Sequence, residues 1–341
     1  MKLKFEYIWL DGYTPEPNLR SKTRIINLDS ETDPTIDDLP SWTFDGSSTK
    51  QAIGNKSDCI LQPERIYPDP FRDDGYLVLC EVLDDKGDPH ISNKRNKISN
   101  EDEWWFGIEQ EYVLYKNNRI LGWPEEGYPK PQGDYYCAIG AGNIAGRDIM
   151  EDHMNACLTA GLNITGTNAE VLLGQWEYQL FGKGARNTSD DLWISRYILH
   201  RLVEAENITA SLHPKPIKGD WNGSGMHVNF SNDMMRDTGG EGYIKRLCEQ
   251  LNLLHPAHMV LYGSDNNERL TGKHETQHID TFTYGIGDRG ASVRIDRINS
   301  LRSKTIGFEE LKERGDYVSG GIVAALDAVG SFASSAAIAI P

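Results

Sequence analysis

The sequence predicts an α+β fold with two domains, residues 1–100 and 101–341. The chain of 341 residues is long for one ordinary domain. Strand-like runs fill the first hundred residues. Later residues mix strand-like and helical runs without strict alternation, which is typical of α+β proteins. The polar, charged stretch 84–102 is the expected domain boundary.

The spacing of apolar residues predicts the individual elements. Strand-like runs bounded by turn-forming or polar residues cover 5–12, 23–29, 76–84 and 104–115. Apolar residues between Arg147 and Ala160 recur at helical spacing, and Gly161 follows as a stop signal. A second helix is predicted from Asp190 to about Ala205.

Composition argues against several classes of partner and compartment. The net charge is -16 and the isoelectric point is about 5.0. Nucleic-acid binding depends on neutralising phosphates, so a nucleic-acid partner is not expected. The five cysteines are scattered without a C-x-x-C pair, which indicates reduced thiols in a cytoplasmic protein.

Both ends of the chain bear on membrane association. The first residues have a basic start but no sustained apolar core, so they do not predict a signal peptide. Residues 322–340 carry one charge and are almost long enough to span a bilayer. Their Ala, Ser and Gly content favours a buried helix instead, and we expect no membrane partner.

The glycine-rich segment 140–146 imitates a dinucleotide-binding turn between a strand and a helix. The standard spacing would place its third glycine at Ala145, and no clear run of hydrophobic parallel strands precedes it. We interpret the segment as an ordinary turn before the first helix.

The most informative residues are acids within strand-like segments. Period-two geometry puts Glu109 and Glu111 on one strand face. Two adjacent carboxylates repel each other unless a positive charge lies between them. A single pair of this kind is more often a solvated strand face. Glu170 and Glu177, however, occupy similarly apolar settings, so the acids form a recurring pattern.

A histidine and three arginines extend this pattern. His227 follows a Gly-rich turn and shares a strand face with Asn229, although such a histidine alone is more often an ordinary buried side chain. Four glutamates and one histidine in apolar strands suit Mg²⁺ or Mn²⁺ better than zinc or copper. Two such ions commonly support phosphoryl transfer. Arg269, Arg289 and Arg294 could hold phosphate or carboxylate oxygens, or form surface ion pairs.

Several longer motifs resemble those of glutamine synthetases. Residues 44–49 (FDGSST) with 56–58 (KSD) resemble the family's N-terminal signature, and residues 215–231 resemble its ATP-region signature. Further matches in family order are 168–171, 175–177, 269–272, 274–276 and 288–295. The opening segments 10–12 and 19–24, and the short length, are similar to the type II, eukaryotic-like branch.

This resemblance implies a small β-grasp-like N-terminal domain and a larger catalytic domain with a curved antiparallel sheet and helices. It implies ATP-dependent ligation of ammonia to the γ-carboxylate of glutamate through a γ-glutamyl phosphate. It also implies a homo-oligomer, a decamer of two pentameric rings with active sites between subunits. Its metal ligands would be Glu111, Glu170 and Glu177 for one ion, with Glu109 and His227 for another.

The resemblance assigns the reacting groups as well. Asp45 would come from a neighbouring subunit, bind ammonium and take its proton. Glu275 would be the acid of a flap that closes over the intermediate. Arg289 and Arg294 would face the phosphates of the nucleotide.

The remaining assignments concern substrate binding. Arg269 would hold the glutamate carboxylate, and Asn222 and Gly223 lie where the family binds glutamate. Trp105 and Asn229 would contact the nucleotide.

One segment departs from the family pattern. Where the family has a Glu-Asp-Arg-Arg-Pro motif, this sequence reads GFEELKERG over 307–315. Glu309 could still serve as a metal ligand, but no arginine stands two residues beyond it. Two alternatives therefore stay open: a related ligase that uses another amine, and a non-catalytic relative.

Overall fold

The computed structural model describes residues 1–28, 32–98, 104–236 and 240–295, together with the backbone of 322–324. Within these ranges the chain forms two β-sheets and five α-helices. The strands are β1 (Lys2–Leu10), β2 (Leu19–Asn27), β3 (Trp42–Asp45), β4 (Asp58–Pro68), β5 (Gly75–Leu83), β6 (Trp105–Lys116), β7 (Arg119–Ile120), β8 (Ile164–Ala169), β9 (Gln175–Lys183), β10 (Ile208–Ser211), β11 (Met226–Ser231), β12 (Tyr284–Ile286), β13 (Val293–Ile295) and β14 (Ile322–Ala324). The helices are α1 (Arg147–Thr159), α2 (Ala185–Glu204), α3 (Asp233–Arg236), α4 (Gly240–Leu261) and α5 (Asn266–Arg269).

The first sheet has five strands in the order β2-β1-β5-β4-β3. β1 and β5 are parallel, and the other neighbours are antiparallel. One face buries a core that includes Phe5, Tyr7 and Leu61. The predicted strand-like runs at 5–12, 23–29 and 76–84 correspond to β1, β2 and β5, which confirms all three.

The second sheet has nine strands, with β12-β13-β14-β11-β6-β9-β8 in order and β7 and β10 also paired to β6. The sheet is antiparallel except for the parallel pair β12 and β13. The run 104–115 was predicted as a strand and forms β6, which lies between β9 and β11. The acids predicted on this strand therefore occupy the middle of the sheet.

Helices α1 and α2 pack against each other and against both sheets. On α2, Ile194 and Ile198 contact the core that contains Ile8 of the first sheet. Leu192, also on α2, belongs to the core beneath the second sheet. The apolar burial of the two helices therefore joins the two sheets through a shared layer, and Leu199 extends it.

The helix predictions hold with one shift. α1 ends where predicted, and Gly161 adopts φ +81 just beyond it. α2 begins at Ala185, ahead of the predicted Asp190. Its first turns are polar but their hydroxyls bond back to the helix: Thr188 donates to the Gly184 carbonyl at 2.9 Å and Ser189 to the Ala185 carbonyl at 2.7 Å. Apolar spacing cannot reveal such a start.

The structure also bears on the glycine-rich segment before α1 and on the predicted C-terminal helix. Residues 137–146 form turns, and Gly146, at φ +83, precedes α1 where a Cβ would lie 2.4 Å from Cδ1 of Leu114. The predicted C-terminal helix is wrong for Ile322–Ala324, whose backbone pairs as β14 with β11 and β13. The rest of 322–340 lies outside the described residues. None of the helices in the described ranges combines the length and apolar character that crossing a bilayer requires.

Candidate active site

The register of three neighbouring strands brings the predicted acids together. On β6, Glu109 stands opposite His227 of β11, and Glu111 stands opposite Glu177 of β9. Because side chains alternate across a strand, both β6 glutamates point to the same face. Glu170 follows the end of β8, next to β9, and its N–H donates to the carbonyl of Gln175 at 3.0 Å.

These five side chains form two groups that share one member. Glu109, Glu177 and His227 make the first group, and Glu111, Glu170 and Glu177 make the second. In each group one ligand atom per residue lies within 4.8 Å of the others. Carboxylate oxygens with a single imidazole are a donor set for Mg²⁺ or Mn²⁺, so the residues present fit these ions. Glu177 would bridge the two sites.

Neighbouring amides fix the carboxylates of the second group. Oε2 of Glu111 accepts from the N–H of Gly225 at 2.7 Å and from Nε2 of Gln175 at 3.1 Å. Oε1 of Glu177 accepts from Nε2 of Gln179 at 3.1 Å. Neither glutamine was predicted from the sequence as a site residue. The signal was present, because Gln175, Glu177 and Gln179 alternate along β9 and therefore share one face.

The acids of the site do not ionise equally. Burial raises the pKa of Glu177 to about 8, and the charges of Glu109 and Glu111 add to the rise. Burial and the Glu111 charge likewise raise the pKa of Glu170 to about 7. Burial alone would also raise the pKa of Glu109, but the hydrogen bond and charge of His227 outweigh it and lower this pKa to about 2. Acids thus outnumber bases in this site, and a divalent cation would supply the missing positive charge.

Arg269 brings a buried guanidinium to the edge of the carboxylate cluster. It is 9% exposed, and its Nη2 lies 3.4 Å from Nε2 of His227. Burial lowers its pKa, while the charges of Glu111 and Glu170 oppose that effect. A Cβ on Gly223 would lie 2.4 Å from Cδ of Arg269, so glycine is required for this approach.

Three of the residues predicted to contact nucleotide, Trp105, Asn229 and Arg294, lie along the same face. Asn229 donates from Nδ2 to Oε1 of Glu109 at 2.9 Å. The Arg236 guanidinium lies over the ring of Trp105 at 3.8 Å. Arg294 is on β13, and its charge also lowers the pKa of Glu109. These predicted residues therefore surround the carboxylate cluster on the β6 and β11 side.

Three predicted residues occupy looser positions. Asp45 is exposed at the end of β3 in the first sheet, and its carboxylate accepts from the N–H of Ser47 at 3.0 Å within its own turn. Glu275 is exposed with φ +59. Arg289 is exposed after β12, and Glu309 lies outside the described residues.

Asn222 occupies the loop before β11 and is hydrogen-bonded twice to a residue that the sequence analysis did not identify. The Asn222 N–H donates to Oε1 of Gln132 at 2.6 Å, and Nε2 of Gln132 donates to Oδ1 of Asn222 at 3.2 Å. Gln132 stands in an irregular segment, and no periodicity marks it as a site residue.

Two sheets, an interposed helix layer and a carboxylate-rich site define an α+β protein whose acidic side chains could hold metal ions. Residues 3–85 match the model of the glutamine synthetase β-grasp domain, and residues 94–241 match that of the glutamine synthetase catalytic domain. These matches confirm the predicted fold class.

Individual relatives indicate the same family as these domain matches. Glutamine synthetase of Bradyrhizobium diazoefficiens is 51% identical over 298 residues, which are 86% of this chain and 86% of the relative. Glutamine synthetase of Saccharomyces cerevisiae is 47% identical over 313 residues, 89% of this chain and 82% of the relative. The chain belongs to the glutamine synthetase family. A cryo-EM structure of Plasmodium falciparum glutamine synthetase has a similar fold, with TM-score 0.72 and 17% identity over 99% of this chain and 71% of that one.

Proposed function

We propose that this chain ligates ammonia to the γ-carboxylate of L-glutamate at the expense of ATP, giving glutamine, ADP and phosphate. The observation that carries the proposal is the pair of ligand groups that share Glu177, placed beside the buried guanidinium of Arg269. Divalent cations and a fixed guanidinium are what two anionic substrates need before they can approach each other. The family of the relatives supports the same reaction.

In the first step, an oxygen of the glutamate γ-carboxylate attacks the γ-phosphorus of ATP, and ADP leaves. Arg269, Asn222 and Gly223 bind glutamate in this proposal, while Arg289 and Arg294 hold phosphate oxygens. Bound Mg²⁺ or Mn²⁺ would neutralise phosphate charge and orient the reacting groups. Glu111 and Glu170 would hold one ion with Glu177.

Binding of the second ion and the nucleotide falls to residues on β6 and β11. Glu109 and His227 would hold the second ion, with Glu177 shared between the two. Trp105 and Asn229 would contact the nucleotide. Glu309 is proposed as a further ligand from its sequence position alone.

In the second step, ammonia attacks the acyl carbon of γ-glutamyl phosphate, and phosphate leaves. Ammonium has no free electron pair, so a base must first remove a proton. We assign that base to Asp45, whose pKa is lowered by hydrogen bonds from the side chain of Ser47 and from Ser48, so it is ionised at neutral pH. Glu275 would close over the intermediate and exclude water.

The position of Asp45 supports an oligomeric enzyme. Asp45 is exposed on the first sheet, whereas the carboxylate cluster lies on the second. We therefore propose that Asp45 serves the site of a neighbouring subunit, in a decamer of two pentameric rings. We also propose assignment to the type II branch, on the opening motifs, and a cytoplasmic location, on the reduced cysteines.

The direct test supplies the purified chain with glutamate, ATP, Mg²⁺ and ¹⁵N-ammonium, and detects the amide of glutamine by NMR. We expect ¹⁵N-glutamine and ADP in equal amounts, and neither without glutamate or Mg²⁺. A parallel reaction replaces ammonium with methylamine. A preference for methylamine would establish the related amine ligase, and nucleotide binding without any turnover would establish the non-catalytic relative.

A further inference from the structure

Gln132 connects three segments that are distant in sequence. Its amide makes two hydrogen bonds to Asn222, and its Nε2 also lies 3.0 Å from Nδ1 of His274. The other ring nitrogen of His274, Nε2, lies 2.9 Å from Oδ1 of Asp220. Both ring nitrogens of His274 are thus engaged, and one glutamine joins the Asn222 loop to the segment that carries Glu275.

The segment around Glu275 is a strained turn. His274 and Glu275 both have positive φ, +54 and +59, a region that residues other than glycine rarely occupy. Such backbone persists only where surrounding contacts hold it. The turn closes on itself through Thr276, whose N–H donates to the Lys273 carbonyl at 3.2 Å. Two of its side chains contact the rest of the site: His274, whose side chain is 22% exposed, and Thr276, whose Oγ1 donates to the carbonyl of Arg269 at 3.3 Å.

We propose that Gln132 is a positioning residue that couples occupation of the glutamate subsite to closure of the Glu275 turn. This inference rests on the proposed function, because it assumes that Asn222 binds glutamate and that Glu275 covers the intermediate. The Gln132 amide contacts both loops, and Asp220 of the Asn222 loop contacts His274 directly, so displacement of either loop changes the contacts of the other. The coupling runs through His274 and not through the metal ligands.

The consequence concerns water. If the Glu275 turn loses its contact with Gln132, it closes less completely over γ-glutamyl phosphate, and water competes with ammonia for the acyl carbon. Hydrolysis then returns glutamate and phosphate without forming glutamine. A loosened coupling therefore shows as phosphate released in excess of glutamine formed, a signature that simple loss of stability does not produce.

The experiment compares Gln132→Ala with wild type, and measures phosphate and glutamine in the same reaction. We expect the ratio of phosphate to glutamine to rise from about one to several-fold higher, and kcat/KM for glutamate to fall roughly 10-fold, as for loss of a functional hydrogen bond. His274→Ala should raise the ratio similarly. The effect of the double variant should be smaller than the sum of the two single effects, because both variants remove the Gln132–His274 contact.

Gln62→Ala is the matched control. Gln62 is also a half-buried glutamine with a side-chain hydrogen bond, from Ser41 Oγ at 2.8 Å, but it lies in the first sheet. Its ratio should stay at the wild-type value. The inference is overturned if Gln132→Ala keeps the wild-type ratio, if Gln62→Ala raises it equally, or if the two site variants add. A wild type that makes no glutamine would instead overturn the proposed function.

Discussion

The first sheet pairs its charges within the chain, whereas the second sheet gathers carboxylates that face one another. In the first sheet, Lys4 contacts Asp74 at 2.6 Å, and Arg72 contacts both Glu6 at 3.0 Å and Asp69 at 2.5 Å. In the second, four glutamates meet one histidine and one buried arginine. These acidic side chains are thus paired with basic ones in the first sheet and only partly balanced by basic ones in the second.

The contrast continues at the boundary between the two sheets. Arg95 contacts Glu64 of β4, Glu81 of β5 and Asp190 of α2, at 2.9, 2.6 and 2.7 Å. Here one guanidinium serves three acids. No guanidinium contacts Glu111 and Glu177 in this way in the described part of the chain, and burial together with the charges of Glu109 and Glu111 raises the pKa of Glu177. Buried carboxylates without a paired guanidinium indicate a site for a positively charged ligand.

The largest expected effect comes from the shared ligand. Glu177→Gln keeps the shape of the side chain but removes one charge from both ligand groups. We expect glutamine formation to fall on the order of 10³-fold, because both proposed cations lose a ligand and can no longer balance the negative charge of the transition state. Glu151→Gln, an exposed position on α1, is the control and should leave the rate unchanged. Equal rates for both variants would show that glutamine formation does not depend on the Glu177 carboxylate.

Breaking the ion pairs of Arg95 should lower the stability of the fold rather than the rate of the reaction. Arg95→Met leaves three partly or fully buried acids without their guanidinium, and we expect a loss of about 3–5 kcal/mol in the free energy of unfolding. Arg201→Met removes an exposed ion pair with Glu204 and should cost at most about 1 kcal/mol. Urea unfolding followed by circular dichroism gives both values. Similar losses for the two variants would contradict the account of the boundary network.

The glutamines beside the acids should tune metal binding. Gln175 donates to Oε2 of Glu111 and to the carbonyl of Gly223 at 3.0 Å. We expect Gln175→Ala to weaken Mn²⁺ binding about 10- to 100-fold in calorimetry, because the carboxylate loses its orientation. Gln62→Ala serves again as control. Unchanged affinity in Gln175→Ala would show that Glu111 is oriented without it.

The smallest expected effect concerns His153, which lies between the sheets on α1. Burial lowers its pKa from 6.5 to about 4, so its folded form stays neutral. Its contribution to stability is complete above pH 6.5 and is lost as pH falls through 4. At pH 5.5 the expected loss is about 1.4 kcal/mol relative to pH 8.

His153→Gln tests this titration. The variant should be less stable than wild type at pH 8, but the difference in urea midpoint should shrink at pH 5.5. A constant difference between wild type and variant would show that His153 does not titrate on unfolding in this range.

Four strands (β1, β2, β5 and β6), α1 and the acids of the site could be predicted from the sequence because each has a local signal. Period-two spacing identified Glu109 and Glu111, and Gly161 marked the end of α1. Register is not local: only the structure shows Glu111 opposite Glu177. Contacts made by isolated amides, such as those of Gln132, follow from loop paths that no pattern encodes.

The segment from 307 to 315, where the sequence departs from its family, lies outside the described residues. The proposed activity therefore rests on the site upstream of it. Ile322–Ala324 shows the limit of composition: an apolar run suggested a helix, but the edge of β11 offered a strand partner. Tertiary pairing decided the outcome over local preference.

Our central proposal is that Glu177 in the second sheet serves as a cation ligand, although its buried charge lowers the stability of the fold. Because its folded pKa is raised to about 8, its stability contribution is lost as pH rises from 4.5 through 8. The most direct measurement is the melting temperature at pH 8.5 of wild type and Glu177→Gln, each with chelator and with Mg²⁺. We expect the variant to melt higher than wild type in chelator and to gain less from Mg²⁺. A variant that melts lower in chelator, with an undiminished gain from Mg²⁺, would contradict the claim.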